Sequence, residues 1–200
     1  MVGVSTWRVP QNVTDRFPTD GSLFSGAGDW WVAYVKPRHE KALAKELVRF
    51  SVPFYLPLIC RVHRRPDNGK PRKAVVPLFP CYVPFRGEEH RRLLYDTGRV
   101  RKILRVIAQD SFVRELRGVD AVLKHGEDAR VCSTLPVGSL VRVARGPLKD
   151  LQGYLEQVEG QEYLVLGVEM FHRYIMVRVN PDHVVCLDSG RSAARMNSMS

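Results

Sequence analysis

The chain predicts an α+β fold: an antiparallel sheet with helices packed against it, followed by a small all-β barrel. Three observations carry this reading. Between Trp30 and Leu123 the apolar residues alternate between strand and helix periods in the order βαββαβα. Between Leu140 and Leu187 five short runs rich in valine follow one another at close spacing. The charge divides at the same place, with 21 Lys and Arg against 9 Asp and Glu in residues 30–125, but 5 against 7 in residues 138–188. A basic unit followed by a mildly acidic one points to two domains with different partners.

Each element has a local reason. Residues 1–29 mix Gly, Ser, Thr, Asp and Pro with few periodic apolar positions and are expected to be a disordered leader. Trp30 to Val35 is aromatic and β-branched, a strand. Pro37 suits the entry of a helix from Arg38 to Phe50, in which Leu43, Leu47 and Phe50 share one face. Arg38, Lys41, Lys45 and Arg49 form a stripe on another face. Val52 to Val62 reads as a strand kinked at Pro57, and Lys73 to Phe85 as its return across the turn Pro66-Asp67-Asn68-Gly69-Lys70-Pro71. The tip of this hairpin is basic, with Arg61, Arg64, Arg65, Lys70, Arg72 and Lys73. Glu88 to Tyr95 and Phe112 to Leu123 are expected helices, with the strand Val100 to Ile107 between them. Residues 30–125 are the first domain, 126–136 a linker, 137–188 the barrel and 189–200 a polar tail.

The stretch Pro77-Leu78-Phe79-Pro80-Cys81-Tyr82-Val83-Pro84-Phe85 is the organising one. It reads as a buried strand whose prolines remove ladder donors, leaving Phe79 and Tyr82 where pairing is incomplete. The net charge of +10 calls for a polyanionic neighbour. A stripe of four cations on one helix face suits a phosphate backbone. Cys60, Cys81, Cys132 and Cys186 are scattered without a C-x-x-C pair, so they read as free thiols and not as a metal site or disulfides. No nucleophile–base pattern, Gly-rich phosphate loop or metal set stands out, so neither catalytic residues nor a cofactor nor a metal is expected. No apolar run approaches the ~20 residues that span a bilayer, and the protein is expected in the cytoplasm, away from membranes.

Four motifs in order give the chain a family resemblance. Trp30-Trp31-Val32 resembles the opening strand of the NusG transcription factors, and Lys36-Pro37-Arg38-His39-Glu40-Lys41-Ala42 their first helix entry. Pro77-Leu78-Phe79-Pro80-Cys81-Tyr82-Val83 resembles their Leu/Phe-Phe-Pro-Gly/Asn-Tyr motif, with Cys81 in place of Gly or Asn. Gly146-Pro147-Leu148-Lys149-Asp150-Leu151-Gln152-Gly153 resembles the KOW loop. The match spans roughly Trp30 to Leu187, and its details look most like the specialised RfaH-like paralogs.

The resemblance implies a NusG-type amino-terminal domain and an SH3-like KOW barrel. It implies a factor that binds the clamp helices of the largest RNA polymerase subunit, suppresses pausing or termination, and couples through the barrel to a small-subunit ribosomal protein or to Rho. The positions matching the polymerase-binding concavity are Tyr34, Phe79, Tyr82, Pro84, Val100 and Ile103. Contact with the non-template DNA strand falls to Lys36, Arg38, Lys41, Lys45, Arg49, Thr97 and Arg99, and contact with the barrel's partner to Phe171 and Arg173. His90-Arg91-Arg92 lies near a further polymerase contact of the RfaH-like members. In those members the carboxy-terminal segment masks the concavity as a helical hairpin. Here the valines of residues 141–185, with Gly146-Pro147, Gly153 and Gly160, favour strands instead, so a constitutive barrel with an open concavity is expected. A general NusG factor, a ribosome-associated KOW protein that binds RNA, and a nucleic-acid-modifying enzyme are the alternatives. The aromatic amino-terminal half argues against the second, and the lack of clustered acids against the third.

Overall fold

The computed structural model describes residues 2–3, 15–64, 69–125, 130–132 and 138–187. In chain order the strands are β1 (Val2–Gly3), β2 (Arg16–Phe17), β3 (Trp30–Val35), β4 (Phe54–Tyr55), β5 (Leu58–Arg64), β6 (Pro71–Pro77), β7 (Tyr82–Arg86), β8 (Val100–Arg105), β9 (Arg130–Cys132), β10 (Ser139–Val143), β11 (Gln152–Val158), β12 (Gln161–Val168), β13 (Arg173–Arg178) and β14 (Val184–Cys186). The helices are α1 (Glu40–Arg49), α2 (Arg91–Asp96) and α3 (Gln109–His125). Strands β2-β4-β7-β3-β8 form a five-stranded sheet, β5 and β6 a separate ribbon, and β1-β9-β13-β12-β11-β10-β14 a seven-stranded sheet. All recorded pairings are antiparallel.

Prolines divide what the sequence presents as continuous strands. At Pro57 the chain leaves the five-stranded sheet after β4 and enters the ribbon as β5. The return strand is likewise cut between β6 and β7, so Leu78 and Phe79 sit in a connection and not in a strand. Pro77 and Pro80 have no N–H to give a ladder. Cys81 takes a positive φ of 68°, the backbone conformation that suits the Gly or Asn of the related motif. The buried Glu40 carboxylate fixes this turn by accepting the Cys81 N–H at 2.9 Å. Helix α1 starts two residues later than expected because Arg38 has φ of 66°.

The five-stranded sheet has two buried faces. Trp31, Ala33 and Val35 point to one, where they meet Leu43, Ala44 and Leu47 of α1 and Leu94 of α2. Trp30 and Val32 point to the other, covered by Phe112, Leu116, Val119 and Val122 of α3. That second cluster runs on into Leu164, Leu166, Val168, Phe171, Ile175 and Val177 of the seven-stranded sheet. Helix α3 is therefore shared between the two sheets. No helix among the described residues is long and apolar enough to cross a membrane.

Two expectations change. Residues 15–29 are not a disordered leader: β2 pairs with β4, and Leu23 is buried. Arg86 donates to the Leu23 carbonyl at 2.8 Å, and Phe24 stacks on Trp30 at 6.0 Å. Composition misses this because every anchor lies far along the chain. Within the expected linker, Arg130–Cys132 forms β9 and pairs with β13. The rest of that linker, Asp188 and the 189–200 tail lie outside the described residues. Of the thiols, Cys60 is buried but Cys81 is half-buried and Cys186 exposed.

Asp120 ties residues 15–29 to α3. Its carboxylate lies 2.6 Å from Arg16 Nη1 and 2.8 Å from Lys124 Nζ, and it accepts the Tyr55 hydroxyl at 3.3 Å. Asp120→Ala leaves the buried Tyr55 phenol without its acceptor and the Arg16 guanidinium with Asp15 alone, and is expected to cost about 2–4 kcal/mol in urea unfolding. Lys124→Ala, at an exposed end of the same cluster, should change stability by less than about 0.5 kcal/mol.

Candidate docking site

The antiparallel register decides which side chains share a face. Tyr34 lies opposite Tyr82 on β7 and opposite Lys102 on β8, and Val32 lies opposite Pro84 and Leu104. These residues form two adjacent rows on the face that α3 also covers. The rings of Tyr34 and Tyr82 are 5.4 Å apart. Phe79, fully buried, reaches the same area from the connection before β7. Tyr34, Phe79, Tyr82 and Pro84 are thus brought together on one face.

Val100 and Ile103 are not. Ile103 lies opposite Ala33, and both belong to the cluster beneath α1 and α2; Val100, opposite Val35, belongs there too. Strand side chains alternate faces, so a shift of one residue moves a side chain through the sheet. Lys102 and Leu104 hold the positions on the docking face that Ile103 was expected to hold. Parity along β8 could not have placed both, because Val100 and Ile103 are three residues apart and share a face only through the register shift between Tyr34 and Val35.

The face is not open. Phe171, in the turn Glu169–Phe171 between β12 and β13, places its ring 4.8 Å from Phe79, 4.9 Å from Tyr82 and 5.9 Å from Phe112. It is stacked on Tyr82 at an interplanar angle of 18°. Residues 139–186 are built of strands, as expected, but the expected open concavity is overturned by this aromatic contact. Phe171, expected to contact the barrel's partner, is 6% exposed. Arg173 beside it is half-buried. Around the plug, Gly118 of α3 faces Leu166, and Glu115 accepts the Glu169 backbone N–H at 3.3 Å. Burial pushes the Glu115 carboxyl up, the Glu169 N–H pulls it down, and the neighbouring Glu169 charge adds to the rise.

The cations beside the face fall into two groups. Lys36, Arg38, Lys45 and Arg49 are exposed. Lys41 instead donates to the Val75 carbonyl at 2.6 Å, tying α1 to β6. Arg99 is held by Glu46 at 3.0 Å, with His39 Nδ1 at 3.1 Å from its Nη1. The Thr97 hydroxyl donates to the Leu94 carbonyl at 2.7 Å and accepts the Arg99 N–H, closing the end of α2. Lys41, Thr97 and Arg99 therefore have structural partners, whereas the exposed four are presented to solvent. The exposed Arg101, Lys102 and Arg105 on the edge strand β8 extend the basic surface, a contribution the sequence reading did not single out. Arg99→Ala is expected to lower stability by about 0.5–1.5 kcal/mol in urea unfolding, and Lys45→Glu to leave it within about 0.5 kcal/mol of the unmodified chain.

No curated protein matches the chain. A family model described as transcription termination factor NusG matches residues 28–133, a span that holds the five-stranded sheet except its two-residue outer strand β2, together with α1, α2 and α3.

Proposed function

We propose a function for this chain from one premise: it belongs to the NusG family. Proteins of that family are non-enzymatic transcription factors that bind RNA polymerase. We read this member as an elongation and antitermination factor whose Tyr34, Phe79, Tyr82, Pro84 and Leu104 face receives the clamp helices of the largest polymerase subunit. The observation that supports this is the aromatic row on a sheet rimmed by exposed cations. Aromatic anchors surrounded by positive charge suit a protein surface that lies beside nucleic acid.

Lys36, Arg38, Lys45 and Arg49 are assigned to the non-template DNA strand, where charge neutralisation supplies affinity without sequence reading. The carboxy-terminal sheet is assigned as a KOW domain that couples to a small-subunit ribosomal protein or to Rho through Phe171 and Arg173. The stretches Lys36 to Glu40 and Pro77 to Pro80 favour a specialised, RfaH-like member over a general factor. A ribosome-associated RNA-binding protein does not account for the match over residues 28–133. The protein would act in the cytoplasm.

Tyr34 gives the cleanest test, because it is half-buried and has no ring contact with Phe171 among those recorded. Tyr34→Glu should lower affinity for purified RNA polymerase by roughly 30-fold, the scale of a lost interface aromatic, with thermal unfolding little changed. Equal affinity in a folded variant would sink the assignment of this face. Lys45→Glu combined with Arg49→Glu should flatten the salt dependence of binding to elongation complexes by about two counterions. An unchanged slope would show that these cations only solvate α1.

A further inference from the structure

Strands β5 and β6 pair with each other and with no other strand among the described residues. Their ribbon carries the basic hairpin tip, and neither the aromatic face nor the cations of α1 give that tip a task. We propose that the ribbon is a separate nucleic-acid site, one that enters the major groove of duplex DNA. The inference is independent of the polymerase face and of the single-strand assignment.

The root of the ribbon and its outer part differ. At the root Leu58, Ile59 and Cys60 are buried, and Val75 and Val76 are half-buried. Ile59 and Val76 join the cluster that α3 covers, while Leu58 and Val75 join the one beneath α1 and α2. The Leu78 N–H donates to the Pro57 carbonyl at 2.8 Å and closes the base, and Lys41 holds the Val75 carbonyl. Farther out, Arg61, Lys70, Arg72 and Lys73 are exposed. A ribbon gripped on both faces at one end presents its other end at a fixed angle, and sites on rigid elements keep their geometry.

The register places the cations. Arg61 lies opposite Ala74 and Arg72 opposite position 63, so alternation puts Arg61 and Arg72 on the face of Ile59 and Val76. Lys73 lies on the other face, with Val75. A ribbon lying flat on a polyanion needs charge on one face only. Charge on both faces suits a cleft with phosphates on both walls. The major groove of B-form DNA is about 12 Å wide and admits a two-stranded ribbon. The major groove of A-form RNA is too deep and narrow for side chains to read, and a single strand has no pair of walls. Each strand has seven residues, which at about 3.3 Å per residue gives a ribbon about 23 Å long. Its outer half therefore spans the groove's depth of about 8.5 Å.

Unpaired strand edges are also guarded by charge, most often lysine, against aggregation. Charges of either sign serve that role. Residues 58–77 instead hold Arg61, Arg64, Arg65, Lys70, Arg72 and Lys73 against Asp67 alone. Arginine predominates, and its planar fork matches both phosphate and the guanine edge.

The test uses the full-length chain and a fluorescent DNA duplex of mixed sequence, about 20 base pairs or two helical turns long. One of its strands alone and the RNA duplex of the same sequence are the companions. Arg61→Glu combined with Arg72→Glu should weaken duplex binding at least about tenfold at low salt and lower the salt slope by about two. Affinity for the single strand should stay within about twofold. Lys45→Glu combined with Arg49→Glu should show the opposite pattern, with the larger loss on the single strand. Arg61→Gln with Arg72→Gln removes charge without reversing it, and stands in if the double reversal does not fold. Methyl green, which occupies the major groove, should compete with the chain, whereas netropsin, which occupies the minor groove, should not. Unchanged duplex affinity in a folded double variant would overturn the proposal, as would an RNA duplex bound as tightly as DNA. Equal losses on duplex and single strand would overturn it too, since the ribbon would then only add to a diffuse basic field. Competition by netropsin alone would overturn the groove. None of these outcomes touches the polymerase face, which Tyr34→Glu tests separately.

Discussion

The ring of Phe171, held by Phe79, Tyr82 and Phe112, is the contact on which the arrangement of this protein depends. From a turn of three residues it joins the two sheets, in one buried cluster with Leu164, Leu166, Val168, Ile175 and Val177. Burying a phenylalanine contributes about 1.5–3 kcal/mol, and each well-placed ring pair adds about 0.5–1.5 kcal/mol. Those magnitudes hold a sheet in place.

Everything else at the site follows from how that contact is reached. The period of two along β3 sends Trp31, Ala33 and Val35 under α1 and α2, and leaves Trp30, Val32 and Tyr34 for the side of α3. Helix α3 buries Phe112, Leu116, Val119 and Val122, and its glycine lets β12 approach. Arg16 and Asp120 then hold residues 15–29 against the far part of α3. The face proposed for docking is thus a by-product of a sheet with two apolar faces, one covered by α1 and α2 and one only partly covered by α3.

Much of this was legible in the sequence, and the failures share a cause. The strand at Trp30, the helix carrying Leu43 and Leu47, and the valine-rich strands after Leu140 are set by local pattern, and local pattern finds them. The division of strands at Pro57 and at Pro80-Cys81 is local as well, yet it needs a decision on which sheet each half joins, and that is a tertiary matter. The face of Ile103 turned on register, which parity along β8 specifies only once its pairing with β3 is known. Arg16, Leu23 and Phe171 were misjudged because their partners lie dozens of residues away: Asp120, Arg86, and Phe79 with Tyr82. Long-range contacts of polar or aromatic residues leave no period in the sequence.

The central claim is that the carboxy-terminal sheet covers the face proposed as the polymerase-binding surface of this NusG-family chain. Nuclear Overhauser contacts between the Phe171 ring and the rings of Phe79 and Tyr82, measured in the free full-length chain and again with purified RNA polymerase, test it most directly. The account predicts strong contacts in the free chain that vanish on binding, while the β11, β12 and β13 pairings persist. A free chain without those contacts, or a polymerase complex that retains them, would contradict it.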